Sequence, residues 1–329
     1  MKEFEIRPAD LFKEYLRLSA EDAVEYFDPS NRKSIPCPAC GSTHFSHAFK
    51  KHGFDYVECA ECDTLYLGPR PPLVEFERFY NDSPSSNYWA NTFFPAVSET
   101  RRSNMFIPKV KHILSLCRDN MFFPNVVMDV GGGYGIFLEE WRKLHPNGHV
   151  CTIEPGKALA SVCKTKGIEV LETIAEHADA WSEKADFLTC FEVIEHVYCP
   201  FVFVRSLYNL IKPGGYALVT GLGVEGYDIQ LLWENSKSIS PPHHINFISL
   251  PGFETLFKRA GFIDIKVMTP GKLDVDIVLN GLQENPLLEI SRFERVLLAR
   301  GKETLEDFQT FLSKHRLSSH YWILVRKGP

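Results

Sequence analysis

The chain has 329 residues, 44% hydrophobic and 24% charged, with a net charge of -6. That length suits one α/β domain of moderate size plus one or two small modules, and the acidic balance argues against nucleic acid or another large polyanion as partner. No apolar run reaches the roughly 18 residues needed to cross a bilayer, and the first ten residues lack a signal-peptide core, so a cytoplasmic protein without a membrane anchor is expected.

Residues 1–32 read as a helical lead-in: Leu11, Tyr15, Leu16 and Leu18 recur at near-helical spacing, and Asp28-Pro29-Ser30-Asn31 marks a break. Residues 33–72 hold two cysteine pairs and end in Gly68-Pro69-Arg70-Pro71-Pro72, a boundary signal. Residues 73–107 are rich in aromatics, among them Phe79, Tyr80, Tyr88, Trp89, Phe93 and Phe94, and suggest a connecting segment able to cover a site. From 108 the pattern alternates. Strands are expected at 126–130, 149–154, 169–171, 185–190, 216–220, 263–268 and 321–325, with helices at 136–144, 156–166, 200–211 and 251–260. Such alternation implies a Rossmann-like α/β fold, a mostly parallel sheet with helices on both faces. Residues 271–317 read as a helical insertion before the last strand, with Leu287, Leu288, Ile290, Phe293, Val296 and Leu297 as its apolar stripe. The alternating units, 108–270 and 318–329, would form one domain.

Asp129-Val130-Gly131-Gly132-Gly133-Tyr134-Gly135 follows a strand and opens a helix. A turn this rich in glycine lets the backbone approach a ligand closely. Glu154 ends the next strand, where a carboxylate can accept from both ribose hydroxyls of a nucleoside. Dinucleotide sites favour Gly-x-Gly-x-x-Gly. The pattern here is Asp-x-Gly-x-Gly-x-Gly, and it resembles the first motif of the class I S-adenosylmethionine (SAM)-dependent methyltransferases. Asp186 with Phe191-Glu192-Val193-Ile194-Glu195-His196-Val197, and Leu210-Ile211-Lys212-Pro213-Gly214-Gly215, resemble that family's fourth-strand motif and the turn before its fifth strand. The resemblance implies a seven-stranded sheet with an antiparallel last strand. It gives Asp129, Gly131, Gly133 and Gly135 to the methionine side of the cofactor and Glu154 to the ribose. Thr173 and Ile174 would lie by the adenine, and Phe191 and Glu192 would line the cofactor near strand four.

Cys37-Pro38-Ala39-Cys40 and Cys59-Ala60-Glu61-Cys62 are two Cys-x-x-Cys knuckles separated by 18 residues, the spacing of a zinc ribbon. Four thiolates leave no open position, so the zinc would be structural. Two disulfides or free thiols are the other readings, and disulfides conflict with a cytosolic location. His44, His47 and His52 are expected on the surface, and the remaining five cysteines as buried hydrophobes. The segment around the knuckles, with Tyr56, Gly68-Pro69-Arg70 and Phe79-Tyr80, resembles the bacterial nucleotide-sugar methyltransferases, in which such a module precedes the methyltransferase domain and shapes the substrate site.

Methyl transfer from a sulfonium needs an in-line nucleophile and, for a hydroxyl or carbon acid, a base. Histidine suits that role. Pro241-Pro242-His243-His244-Ile245-Asn246-Phe247 falls after strand five, and in the sugar methyltransferases a histidine in a comparable stretch serves at the active site. That group carries an acidic residue where this chain has His243, which leaves carbon and oxygen methylation both open. His244, His243, His196 and Tyr88 are therefore the candidate catalytic residues. The expected acceptor is a small molecule, a sugar or nucleotide sugar. The competing readings are an RNA methyltransferase using the ribbon to grip a stem-loop, and a cofactor-binding module without turnover.

Overall fold

A computed structural model describes residues 2–329. The N-terminal lead-in forms helices α1 (Glu3–Ile6) and α2 (Ala9–Glu25). Strands β1 (Phe45–Lys51), β2 (Phe54–Cys59) and β3 (Leu65–Leu67) follow, then helix α3 (Leu73–Asp82). Helix α4 (Pro84–Tyr88), a π turn at Trp89–Phe93, α5 (Phe94–Arg101), a second π turn at Arg102–Phe106 and α6 (Ile107–Asp119) run on without a break. Each π turn precedes a proline at the start of the next helical piece, Pro95 or Pro108. Proline has no N–H to donate and crowds the carbonyl four residues back, and the wider turn accommodates both effects.

The α/β units then follow in order: β4 (Val126–Val130), α7 (Ile136–Leu144), β5 (His149–Ile153), α8 (Lys157–Thr165), β6 (Glu169–Leu171), β7 (Ala185–Phe191), α9 (Pro200–Leu210) and β8 (Ile211–Leu222). Next come α10 (Tyr227–Leu232), β9 (Asn246–Phe247), α11 (Leu250–Arg259) and β10 (Phe262–Met268). Three helices, α12 (Asp274–Glu284), α13 (Arg292–Leu298) and α14 (Lys302–Lys314), precede β11 (His320–Lys327). The large sheet has the order β10-β11-β8-β7-β4-β5-β6, and β11 runs antiparallel to both its neighbours. This is the seven-stranded Rossmann-like sheet with an antiparallel last strand that the resemblance implied, with apolar residues of β4, β7 and β8 buried on both faces. Asp186 does not reach the cavity end of the sheet. Its carboxylate accepts from the backbone N–H groups of Asn125 and Val126 and from Lys212, pinning the entry of β4.

The second sheet, β1-β2-β3-β9, gives the N-terminal module its structure and reaches across the chain: Leu65 pairs with Phe247 and Tyr66 with Asn246. The Gly68–Pro72 stretch is accordingly no simple linker, because Arg70 is buried at 2% exposure. Its guanidinium donates to the carbonyls of Tyr198 (2.5 Å) and Ile245 (3.3 Å) and to Asn246 Oδ1 (2.8 Å). Burial pushes its pKa down to about 10, which keeps it charged at neutral pH.

Two expectations are corrected. The insertion packs through Val275, Val278, Leu298 and Leu312 against Leu232, whereas Leu287, Phe293 and Val296 of the expected stripe are exposed. Short helices separated at Asn285 and Ala299 break the single 3.6-residue register that the stripe assumed. Of the five scattered cysteines Cys199 is exposed, because it caps α9 from outside the sheet, and the other four are buried. His44, His47 and His52 are on the surface. Among the described residues, no helix is long and apolar enough to cross a membrane.

Candidate functional site: a cavity between the glycine turn and a histidine wall

A cavity of about 560 Å³ opens at the C-terminal ends of β4, β5 and β7. This is where ligands bind in open α/β sheets, because the loops leaving the strand ends diverge there. One wall is Gly131, Gly132, Gly133 and Glu154, and the opposite wall is His196, His243 and His244.

The glycine wall is fixed sterically. A Cβ on Gly132 would lie 2.2 Å from Thr152 Oγ1, and that hydroxyl is committed to the Asp129 carbonyl at 2.8 Å. Gly131 has φ +74°, and a Cβ there would meet Val193 at 2.9 Å. Glu154 accepts from the N–H groups of Gly133 (2.8 Å) and Gly156 (2.9 Å), which aims its carboxylate while leaving acceptor capacity on each oxygen. Asp129 is buried, and burial pushes its carboxyl up to about 7 against the opposing hydrogen bond from Thr189 (2.7 Å) and the charge of Lys109. Gly135 lies behind the turn, packed on Ile168 and Cys163 as the N-cap of α7. Thr173 and Ile174 do not line the cavity, and Leu159 does. Phe191 and Glu192 do line it. Glu192 has φ +55° and accepts from Thr220 Oγ1 (2.5 Å), with His320 Nδ1 3.4 Å away. The Trp322 indole can only donate, and it donates to His320 Nε2 at 3.0 Å. His320 therefore carries its proton on Nδ1, facing Glu192. Burial raises the Glu192 pKa, but His320, Lys109 and Thr220 outweigh it and hold the carboxylate ionised.

The histidine wall is set by the N-terminal module. Tyr56 donates to the His244 carbonyl at 2.6 Å, and Asn246, held by Arg70, donates to the Val197 carbonyl at 2.9 Å. His244 and His196 meet edge to face at 4.7 Å between ring centroids. His244 Nδ1 lies 2.5 Å from the Ser238 carbonyl, which only accepts. The proton therefore sits on Nδ1 and leaves Nε2 with a free lone pair. Burial drives the His244 pKa to about 4 and His196 to about 3. Both imidazoles are neutral at physiological pH. His243 is more enclosed, with Nε2 3.0 Å from Ser85 Oγ and its ring against Phe79.

Tyr88 is not part of this wall. It packs with Phe12, Tyr15, Phe93 and Val97, and Tyr80 takes the place expected for it. The Tyr80 hydroxyl donates to the His243 carbonyl at 3.3 Å and lies 3.4 Å from His196 Nδ1. Two aromatics eight residues apart on neighbouring helices are not told apart by composition. The roof is the α4–α6 run: Phe94 stacks on Tyr134 at 4.9 Å, and the Tyr134 hydroxyl donates to the Ala90 carbonyl. Arg101, Met105 and Lys109, spaced by four, also face inward from this run, as does Arg7 after α1. Sequence reading missed Arg7, Arg101 and Lys109, because nothing local distinguishes them from surface cations.

Two side-chain groups have the geometry of an ion site. The four Cys37, Cys40, Cys59 and Cys62 sulfurs lie within 4.8 Å of one another, with Cys37–Cys62 and Cys40–Cys59 both 3.6 Å apart. Tetrahedral thiolates about 2.3 Å from zinc would be roughly 3.8 Å apart, so the quartet fits that ion. Glu195, His196 and His244 are also within 4.8 Å. Burial and the neighbouring Glu192 charge hold the Glu195 carboxyl well above its usual range, which favours its neutral form over the carboxylate a metal would need.

Residues 100–267 match the family model described as a methyltransferase domain. The chain belongs to this family. Its α/β domain is a class I SAM-dependent methyltransferase domain. The chain is 31% identical over 180 residues to a ubiquinone biosynthesis O-methyltransferase of Erwinia tasmaniensis, covering 52% of this chain and 64% of that protein. It is 32% identical over 106 residues to the Proteus mirabilis protein of the same name, covering 30% and 42%. The chain thus spans less than two thirds of these curated relatives. The plantazolicin methyltransferase BamL, solved with a triazolic desmethylPZN analogue and SAH, shares the fold with a TM-score of 0.52 at 13% identity, over 78% of this chain and 95% of that one.

Proposed function

We propose that the methyltransferase moves a methyl group from SAM to a small-molecule acceptor, with His244 as general base, and that the acceptor is a sugar, nucleotide-activated or part of a surface glycan. The observation that carries the reading is the unprotonated Nε2 of His244 in the same cavity as the glycine turn and Glu154.

Bound SAM supplies a methyl group already activated on a sulfonium. The chain then has three tasks. Glu154 accepts from the ribose hydroxyls, oriented by Gly133 and Gly156. Gly131 and Gly132 allow close backbone approach, and Asp129 and Glu192 place negative charge beside the cationic end. His244 Nε2 takes the proton from the acceptor atom as that atom forms its bond to carbon and the carbon–sulfur bond breaks. The new imidazolium is favoured by Glu192, while Ser238 holds the ring in place. Tyr80 and His196 form the rest of that wall. The cysteine quartet, with zinc as its ion, keeps β3 paired to β9 and so holds His244 in register. Support for a sugar acceptor comes from the cysteine module preceding the domain and its direct contacts to the histidine segment. A small-molecule acceptor also agrees with the names of the curated relatives.

The test offers labelled SAM with a panel of nucleotide sugars, beside total RNA. Label in a sugar nucleotide that His244→Ala abolishes supports the reading. Label in RNA sinks the sugar assignment, and label in a sugar that survives His244→Ala removes the base.

A further inference from the structure

The cations on the cavity wall are not paired one to one with its carboxylates, Asp129, Glu154, Glu192 and Glu195. Four cations line it: Arg7, Arg101, Lys109 and Lys237. Lys237 is paired with Glu284 at 2.5 Å. Arg7 has Glu3 at 3.4 Å, and Glu3 is shared with Asn280. Arg101 has no carboxylate within ion-pair distance among the described residues, and its Nε is buried without a partner. Its one hydrogen bond runs from Nη2 to the Ile6 carbonyl at 3.2 Å, which brings its guanidinium to the residue next to Arg7. The rings of Trp89, Phe93 and Phe94 lie 5.3–5.8 Å from the Arg101 guanidinium and shield it from water. A buried charge is costly unless paired, so Arg101, with Arg7 beside it and only the longer-range pull of Glu192, points to a missing anion.

Lys109 belongs to the other side. Its ammonium lies 4.1 Å from the Phe191 ring centroid, and it acts on Glu192 and on Asp129 beside the glycine turn. Arg7 acts on His244, across the cavity. We infer that Arg7 and Arg101 clamp an oxyanion carried by the methyl acceptor, a phosphoryl or carboxylate group placed away from the methyl-accepting atom. Guanidinium forks bind both groups bidentately, and two forks together match the several oxygens of a phosphoryl group. The inference rests on the methyl-transfer reading and deepens it by naming a charged group on the acceptor.

The test is isothermal titration of the full chain. SAH is titrated first, and failure to bind SAH sinks the methyl-transfer reading itself. Inorganic pyrophosphate and, separately, benzoate are then titrated into the SAH-loaded protein. Binding of either one that weakens about 10- to 100-fold in both Arg101→Gln and Arg7→Gln supports the clamp. The anion that binds names the acceptor's group as phosphoryl or carboxylate. SAH affinity in each variant shows that it is folded. Absence of binding by both anions, equal binding in the variants, or a tenfold loss of SAH affinity in Arg101→Gln overturns the clamp, the last by assigning Arg101 to the cofactor.

Discussion

Replacing Arg70 with methionine tests whether the N-terminal module sets the histidine wall. The guanidinium is buried and holds four acceptors on three segments: the Leu67, Tyr198 and Ile245 carbonyls and Asn246 Oδ1. Methionine fills similar volume and strands all four, at about 1–3 kcal/mol each. Removing a buried charge returns several kcal/mol of desolvation. The net expected loss is about 2–4 kcal/mol, or a Tm lower by roughly 3–6 °C in calorimetry. The second readout is specific to the wall. Asn246 would lose its anchor, and His244 two residues away would lose its buried, neutral environment. Nitrogen-15 spectra of the imidazoles should show the His244 pKa rising from about 4 toward the ordinary 6.5. SAH affinity should stay within about twofold, because the glycine turn makes no contact with Arg70. A parallel loss of SAH affinity, or a His244 signal unchanged in the destabilised variant, would refute the separation of the two walls.

Three further outcomes are expected. Gly132→Ala should destabilise the chain by about 1–3 kcal/mol in urea denaturation, because Thr152 is fixed where the new Cβ must go; Gly133→Ala, with open space but φ +55°, should carry only the left-handed backbone strain of about 1–2 kcal/mol, and a Gly132→Ala variant as stable as the native chain would show that the turn is not sterically set by Thr152. Cofactor affinity should rise with pH up to about 7 and then level off. Asp129 is protonated below that pH and must release its proton to face a cationic ligand, so titrations between pH 5.5 and 8 should slope in the native chain and flatten in Asp129→Asn. Cys59→Ser should abolish zinc on metal analysis and lower Tm, with His244 affected as in the Arg70 variant; full zinc content in that variant would remove the metal from the quartet.

That the glycine turn and Glu154 share one wall of the cavity was legible because their signals are local. Asp129 to Gly135 and Glu154 lie within one β-α-β unit, where a turn, a helix start and a strand end are spelled out in adjacent residues. The adenine side was not, since Thr173 and Ile174 lack any residue type that marks a contact. Tyr80 and Tyr88 show the limit of composition: only the helix packing decides which one reaches His196. The small sheet was invisible because β9 has two residues and pairs with β3 about 180 residues away. Arg70 sat in a proline-rich stretch that reads as a boundary, and its burial follows from partners more than a hundred residues away.

The two walls therefore answer to different parts of the chain. Gly131, Gly132 and Glu154 are held by Thr152 and by neighbouring backbone N–H groups, all inside the α/β domain. His244 and His196 are held by Tyr56, Arg70 and the β3–β9 pairing, so their position depends on the cysteine module. The cations proposed to face the acceptor come from a third source, the end of α1 and α5. On the proposed function, a change in the module or in the first hundred residues alters which acceptor is bound and deprotonated while leaving the cofactor site unchanged, and damage to the glycine turn removes the methyl donor whatever the acceptor. This asymmetry gives the variants above their diagnostic value: SAH affinity reads one wall, and the His244 resonance and the oxyanion titration read the other.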